Sequence, residues 1–131
     1  MVYFYVGLGG IIGSLLRYSL AIIAVDFWGK GFPVGTLIIN LSGAFLLGWI
    51  TTHFVFPKKL HPYFLTALTT GVIGSYTTFS TFCLETVHLI EANEDILALL
   101  YILSSFLGGL FFVKLGSTIG EKGKREMRRT T

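Results

Sequence analysis

At residues 69–82 the chain reads TTGVIGSYTTFSTF, in the middle of an apolar stretch that runs from residue 62 to residue 90. This stretch is longer than the ~20 residues that a helix needs to cross a bilayer. Its central glycines and threonines disfavour helix, and hydroxyl groups can satisfy the backbone groups that a break sets free. We therefore predict a membrane helix that is broken near its middle, with the break packed against protein or a water-filled cavity.

Three further apolar stretches, each long enough to cross a bilayer as a helix, cover residues 2–25, 33–56 and 96–119. The composition agrees with a membrane protein, because 53% of the residues are hydrophobic, 13% are charged and the mean hydropathy is +0.73. A barrel is disfavoured, since barrel strands alternate in polarity and are half as long. We predict a single all-α integral membrane domain with four transmembrane helices and a basic tail at residues 120–131, which leaves no room for a soluble enzyme domain.

The positive charges outside these stretches fall mainly on one side of the predicted membrane. The side that holds both termini carries seven, namely Lys58, Lys59, Lys122, Lys124, Arg125, Arg128 and Arg129. The opposite side carries Lys30 alone. By the positive-inside rule the termini are expected in the cytoplasm, in a multi-pass protein of the cell (inner) membrane. No base-reading motif accompanies the tail, so we expect no nucleic-acid partner.

Small and polar residues recur every four positions along three of the predicted helices. The three stripes are Gly9, Gly13 and Arg17; Thr36, Asn40, Ala44 and Gly48; and Tyr101, Ser105 and Gly109. Stripes of this kind can be simple packing seams. Arg17 is costly in lipid, and we expect it either to pin helix ends by bonding carbonyl groups or to line an anion vestibule.

Two phenylalanines directly after the predicted break, Phe79 and Phe82, share one helical face. Such a pair is often core filling, but ring edges carry positive charge and can meet a small anion. Hydrogen-bond donors that could line the same narrow path are Asn40, Ser80, Thr81, Tyr101 and Ser105. Carbonyl groups freed between Gly74 and Thr77 are potential cation ligands.

Three runs of residues resemble the CrcB/Fluc family of fluoride channels. They are Gly9-x-x-x-Gly13-x-x-x-Arg17-Tyr18; Gly35-Thr36-Leu37-x-x-Asn40-x-x-Gly43-x-Phe45-x-x-Gly48; and Gly71-x-x-Gly74-x-x-Thr77-Thr78-Phe79-Ser80-Thr81-Phe82. The resemblance implies passive export of fluoride, which protects against fluoride toxicity. It also implies an antiparallel dimer in the lipid bilayer with two pores and a buried sodium ion.

The same resemblance assigns roles to individual residues. Phe79 and Phe82 would form the phenylalanine box, and Asn40 would be the pore-lining amide. Tyr101 and Ser105 would belong to a polar track on the fourth helix. The backbone carbonyls of Gly74 and Thr77 would hold the sodium ion. Two positions depart from the family pattern, Ser75 in place of a second glycine and Gly109 in place of a polar rung.

The uneven charge distribution bears on the partner subunit. A chain that inserts in both directions needs nearly balanced loops, and seven charges against one are not balanced. We therefore hypothesise one-way insertion and pairing with an oppositely oriented paralogue, whereas the resemblance favours a homodimer. Both possibilities stay open.

Other functions have less support in the sequence. A proton-coupled multidrug exporter needs a membrane carboxylate, and Glu85, near the end of the third stretch, is the one candidate; we expect it to be a vestibule or interface group. A non-transporting assembly subunit is a further alternative. No catalytic motif is present, and His53, His61 and His88 lack a shared ligand spacing, so we predict that the chain is not an enzyme.

Overall fold

A computed structural model describes residues 1–55 and 60–129, and of Val55, Lys124, Met127 and Arg128 it describes the backbone alone. All regular secondary structure in these two ranges is helical, which confirms the all-α prediction. The connector predicted at residues 57–61, with Lys58 and Lys59, lies largely outside the described residues.

The first two helices are joined by a short connector. Helix α1 spans Val2–Trp28, and α2 spans Val34–Ile50 and continues into a π-helical turn at Thr51–Val55. Residues 26–28, predicted as part of the connector, are helical, because they contain neither glycine nor proline and the helix continues to Gly29. Gly29 ends α1 with a φ of 73°, a conformation that glycine adopts at little cost.

The third segment of the chain is not one continuous α-helix. Its first arm, residues 62–76, consists of α3 (Pro62–Thr66), a π-helical stretch (Ala67–Ile73) and α4 (Gly74–Tyr76). Thr77 and Thr78 then have extended backbones, with φ, ψ of −78°, 158° and −149°, 127°. The chain resumes as α5 (Phe79–Glu91).

The last helix, α6, runs from Asp95 to Arg129. Its 35 residues correspond to about 52 Å, against ~30 Å for the hydrocarbon core of a bilayer. The described part of the predicted tail, residues 120–129, therefore continues the helix, since Glu, Lys and Arg are good helix formers and cations suit a helix C-terminus.

Within residues 1–55 and 60–129, three helices are long and apolar enough to cross a membrane: Val2–Trp28, Val34–Phe54 and Asp95–Gly123. They agree with three of the four predicted spans. In the third segment the interruption at Thr77 and Thr78 leaves two helical pieces, each shorter than a full crossing.

Glycines set how closely these helices approach. A methyl group at Gly116 of α6 would collide with the carbonyl oxygen of Phe45 of α2, and one at Gly13 of α1 would collide with the carbonyl oxygen of Val72 in the first arm. Side-chain-free backbone at these contacts lets α2 lie against α6 and α1 against the first arm. Gly9, Gly13 and Gly48, which belong to two of the predicted stripes, therefore lie in packing contacts.

Candidate functional site

The break between the two arms is capped by its own side chains. The backbone N–H of Thr81 donates to Thr78 Oγ1 at 3.3 Å, which caps the start of α5. The Thr78 hydroxyl in turn donates to Thr81 Oγ1 at 3.0 Å and lies 3.4 Å from Ser80 Oγ. The hydroxyls of Ser80 and Thr81, both predicted to line a path, thus lie in the first turn of α5 beside the break.

Asn40 of α2 binds both backbone groups of Thr78. Its Nδ2 donates to the Thr78 carbonyl at 2.9 Å, and the Thr78 N–H donates to Asn40 Oδ1 at 2.9 Å. An amide side chain offers a donor and an acceptor side by side, which is what an extended residue without a strand partner needs. The structure therefore places the predicted amide at the break.

An open groove of about 500 Å³ runs alongside the break. Its walls include Asn40, Gly43, Gly74, Thr77 and Phe79. A helix end leaves its last carbonyl groups without the usual donor four residues on, and the N–H that would serve the carbonyl of Gly74 belongs to Thr78 and is bonded to Asn40. The residues predicted as sodium ligands, Gly74 and Thr77, thus lie at the end of a helical arm, where the last carbonyl groups lack their helical N–H donors.

Aromatic rings continue from the groove into the protein. The ring centroids of Phe79 and Phe82 are 5.8 Å apart, and those of Phe82 and Tyr101 are 5.0 Å apart. The exposed fraction falls along this series, from 76% for Phe79 to 0% for Tyr101. The pair is therefore partly core filling at Phe82, while Phe79 projects away from the chain.

Beyond the rings lies a carboxylate that accepts two hydrogen bonds. Tyr101 Oη donates to Glu85 Oε2 at 2.7 Å, and Thr36 Oγ1 donates to Glu85 Oε1 at 2.8 Å. Thr36 is 6% exposed, so both donors belong to the interior. Glu85 is thus held by α2 and α6.

Glu85 also faces a second cavity, of about 500 Å³, at the end of the molecule that holds the α1–α2 and α5–α6 connectors. Lys30, Phe32, Thr36, His88 and Glu94 are among its walls. We call this space the mouth cavity. It opens toward the connectors, whereas the groove at the break lies deeper along α2.

The two remaining predicted residues lie on neighbouring helices. Ser105 is half-buried one turn after Tyr101 on α6. Arg17 is half-buried on α1, one turn after Gly13, which packs against the first arm. Its Nε is buried without a hydrogen-bond partner among the described residues. Arg17 therefore faces protein, on the side of α1 that contacts the first arm.

Sequence reasoning missed two residues of this region. Thr36 belonged to a predicted stripe but was not singled out as a partner of Glu85, because residues 49 positions apart give no local signal of contact. Phe32 lies in the α1–α2 connector, with its ring centroid 5.6 Å from that of Tyr101. Only the placement of the connector over α6 reveals that contact.

Comparison with known proteins gives consistent matches over most of the chain. Residues 4–117 match the family described as CrcB-like protein, Camphor Resistance (CrcB). A protein of Bacillus thuringiensis subsp. konkukian (strain 97-27) named "Fluoride-specific ion channel FluC 1" is 47% identical over 121 residues, which cover 92% of this chain and 88% of that protein. One from Geobacillus kaustophilus (strain HTA426) named "Fluoride-specific ion channel FluC 2" is 43% identical over 126 residues, 96% of this chain and 98% of that protein. The matched region includes the break, the aromatic rings and Glu85.

Proposed function

Because this chain belongs to the CrcB family, we propose that it is a fluoride-selective channel that carries fluoride passively out of the cytoplasm and so protects the cell from fluoride toxicity. The observation that carries this proposal is the 47% identity, over 92% of the chain, to a protein named as a fluoride-specific ion channel. The same match supports an ion channel over an enzyme. The three membrane-crossing helices make the chain a multi-pass membrane protein.

Selectivity for fluoride follows from the cost of dehydration. A small anion loses much hydration energy on leaving water, and only closely spaced donors can replace the lost water. The break and α5 offer such donors in hydroxyl groups, an amide and ring edges. We infer that fluoride passes the groove at the break and then the edges of Phe79 and Phe82. The amide nitrogen of Asn40 carries a second hydrogen beyond the one bonded to Thr78, and this hydrogen is a donor for the ion.

Farther along, the ion meets Tyr101 and Ser105 on α6. The Tyr101 hydroxyl has one proton, and that proton is directed at Glu85. A fluoride ion that takes a hydrogen bond from Tyr101 must therefore compete with the carboxylate of Glu85. This competition favours brief occupancy, which passive conduction requires.

The carbonyl oxygens at the end of the first arm are suitable ligands for a sodium ion. Carbonyl oxygens at the end of an interrupted membrane helix are typical sodium ligands. The proposed ligands are the carbonyls of Gly74 and Thr77, which border an open groove. Bound there, sodium would add positive potential next to the anion path. Other ligands would come from a second subunit across the groove.

The exposed face at the break supports a second subunit. Phe79 is 76% exposed, and the groove beside it is bordered by Asn40, Gly43 and Gly74. We propose that the broken third segment spans the membrane and that its break faces an antiparallel partner. An intramembrane break requires contact with protein or water, and a partner subunit supplies both a wall and the remaining ligands.

Fluoride efflux from liposomes tests the proposed function. The purified chain, alone or with an oppositely charged paralogue, is reconstituted into liposomes that contain potassium fluoride. Fluoride release is followed with a fluoride electrode after a potassium ionophore is added. We expect rapid release without a proton gradient. Fluoride release that requires a proton gradient would contradict a passive channel, and no fluoride release under either condition would leave the multidrug exporter and the assembly subunit as the remaining functions.

Insertion of the chain in one direction is a separate prediction. The direction of insertion is expected to follow from the excess of Lys and Arg on one side of the membrane. Three of these residues, Lys122, Arg125 and Arg129, lie at the end of α6. After the exposed native Cys83 is replaced by serine, a single cysteine at Thr131 is treated in intact cells with a membrane-impermeant thiol reagent. We expect protection of this cysteine in cells that express the chain alone, with termini in the cytoplasm.

Lysed cells give the labelling control, and a second single cysteine at Gly31 in the opposite connector should react from outside. Labelling of both positions in intact cells would indicate two orientations and would favour a homodimer over pairing with a paralogue.

A further inference from the structure

Phe32 extends the row of aromatic rings to the mouth cavity. Its ring centroid is 5.6 Å from that of Tyr101, and the two planes are inclined by 77°. Together with Phe79 and Phe82, these residues form four rings whose successive centroids are 5.8, 5.0 and 5.6 Å apart. The row begins at the exposed Phe79 and ends at Phe32, which is a wall of the mouth cavity.

The Tyr101 ring is enclosed by its neighbours. It is 0% exposed, and it packs in a small cluster with Leu89 and Ala98 against Phe32 and Phe82. The direction of the Tyr101 hydroxyl, which donates to Glu85, follows from the orientation of this ring. Phe32, together with Leu89, therefore lies between the Tyr101 ring and the mouth cavity.

The backbone around Phe32 is suited to a fixed position. The N–H of Val34 donates to the Phe32 carbonyl at 2.8 Å, which closes a tight turn. Pro33 limits the backbone further, because its ring fixes φ. A half-buried aromatic side chain on such a turn can hold its neighbour in one orientation.

We propose that Phe32 is a positioning residue of the fluoride path, which holds the Tyr101 ring against Phe82 and closes the inner end of the mouth cavity to water. This inference rests on the proposed function. Without the Phe32 ring, Tyr101 can tilt toward the cavity, its hydroxyl leaves the path, and water enters between the rings. The first change removes a donor that replaces the hydration of the ion, and the second separates the ring edges from the ion.

Efflux from liposomes and chemical modification of Tyr101 test the proposal together. Phe32→Leu keeps an apolar side chain but removes the ring. We expect efflux to fall about ten-fold, which is the change in rate that corresponds to the loss of one aromatic pair. Phe32→Tyr keeps the ring and should stay within about two-fold of the wild type. Nitration of Tyr101 by peroxynitrite, read by mass spectrometry, should increase several-fold in Phe32→Leu alone.

Two controls separate positioning from packing. Phe27→Leu makes the same change at a phenylalanine that is 79% exposed near the same connector. It should alter neither fluoride efflux nor the nitration of Tyr101. Leu97→Ala weakens the cluster around Tyr101 without removing a ring, and it should lower the unfolding temperature while efflux per folded protein is kept.

Three results would overturn the proposal: equal nitration of Tyr101 in wild type and Phe32→Leu, efflux as slow in Phe32→Tyr as in Phe32→Leu, or an equal loss of efflux in Leu97→Ala. If the wild-type chain does not conduct but Tyr101 is still nitrated more in Phe32→Leu than in wild type, the result would count against the proposed function. It would not count against the positioning of Tyr101 by Phe32.

Discussion

Phe79→Ile and Phe82→Ile are each expected to reduce fluoride efflux to the rate of protein-free liposomes while the proposed dimer stays intact. Isoleucine keeps an apolar side chain but has no ring edge, so nothing replaces the positive rim that we propose to meet the ion. The proposed path would then present hydrocarbon to a dehydrated anion, which is far more costly than the loss of packing. A fluoride electrode measures efflux, and size-exclusion chromatography measures whether the proposed dimer persists.

The two variants differ in what else they disturb, and this difference makes the result informative. Phe82 packs against Tyr101, so Phe82→Ile should also lower stability by about 1 kcal/mol. Phe79 is 76% exposed in the chain, and Phe79→Ile should leave the stability of the single subunit unchanged. Phe4→Ile, at a phenylalanine of α1 that is 65% exposed, is the control. Full efflux in both test variants would remove the ring pair from the path.

Asn40→Asp is the second substitution with a large expected effect. The aspartate keeps the shape and still accepts the Thr78 N–H, but its second oxygen now faces the Thr78 carbonyl instead of donating to it. Its charge also repels an anion in the groove, by about 3 kcal/mol at ~5 Å with an effective dielectric constant of ~20. We expect efflux to fall at least ~100-fold and the unfolding temperature to drop.

Acidification gives this prediction an internal check. A protonated aspartic acid has one donor and one acceptor and can make both bonds to Thr78, so lower pH should restore part of the efflux. Asn93→Asp introduces the same charge at an exposed connector residue and should change efflux little. Release from protein-free liposomes at each pH is subtracted, since hydrogen fluoride crosses bilayers unaided. Wild-type efflux in Asn40→Asp at neutral pH would show that the paired hydrogen bonds between Asn40 and Thr78 are dispensable for conduction.

The sequence predicted the helical class and three of the crossing helices because those depend on local composition alone. The unusual composition of residues 69–82 favoured an interruption, and the extended residues there are Thr77 and Thr78 rather than the glycines. Gly71 lies in the π-helical stretch and packs against α1, where a methyl group would come within 2.7 Å of the Val6 carbonyl oxygen. Its lack of a side chain serves packing and not bending.

The contacts around Glu85 could not be predicted in the same way. Its two donors, Thr36 and Tyr101, come from α2 and α6, and they meet only after three helices have packed. Phe32 lies in a connector without periodicity, so no hydrophobic pattern indicates which side it covers. Residue types with special chemistry can be found in a sequence, whereas their partners depend on the tertiary arrangement.

The unbroken course of α6 also has a use at the bench. A 14.5 kDa protein buried in detergent offers little contrast for electron cryomicroscopy. Because α6 stays helical to Arg129, a helical fusion partner spliced in phase near that residue would turn with the membrane domain as one body, and it would supply the external mass by which images are aligned.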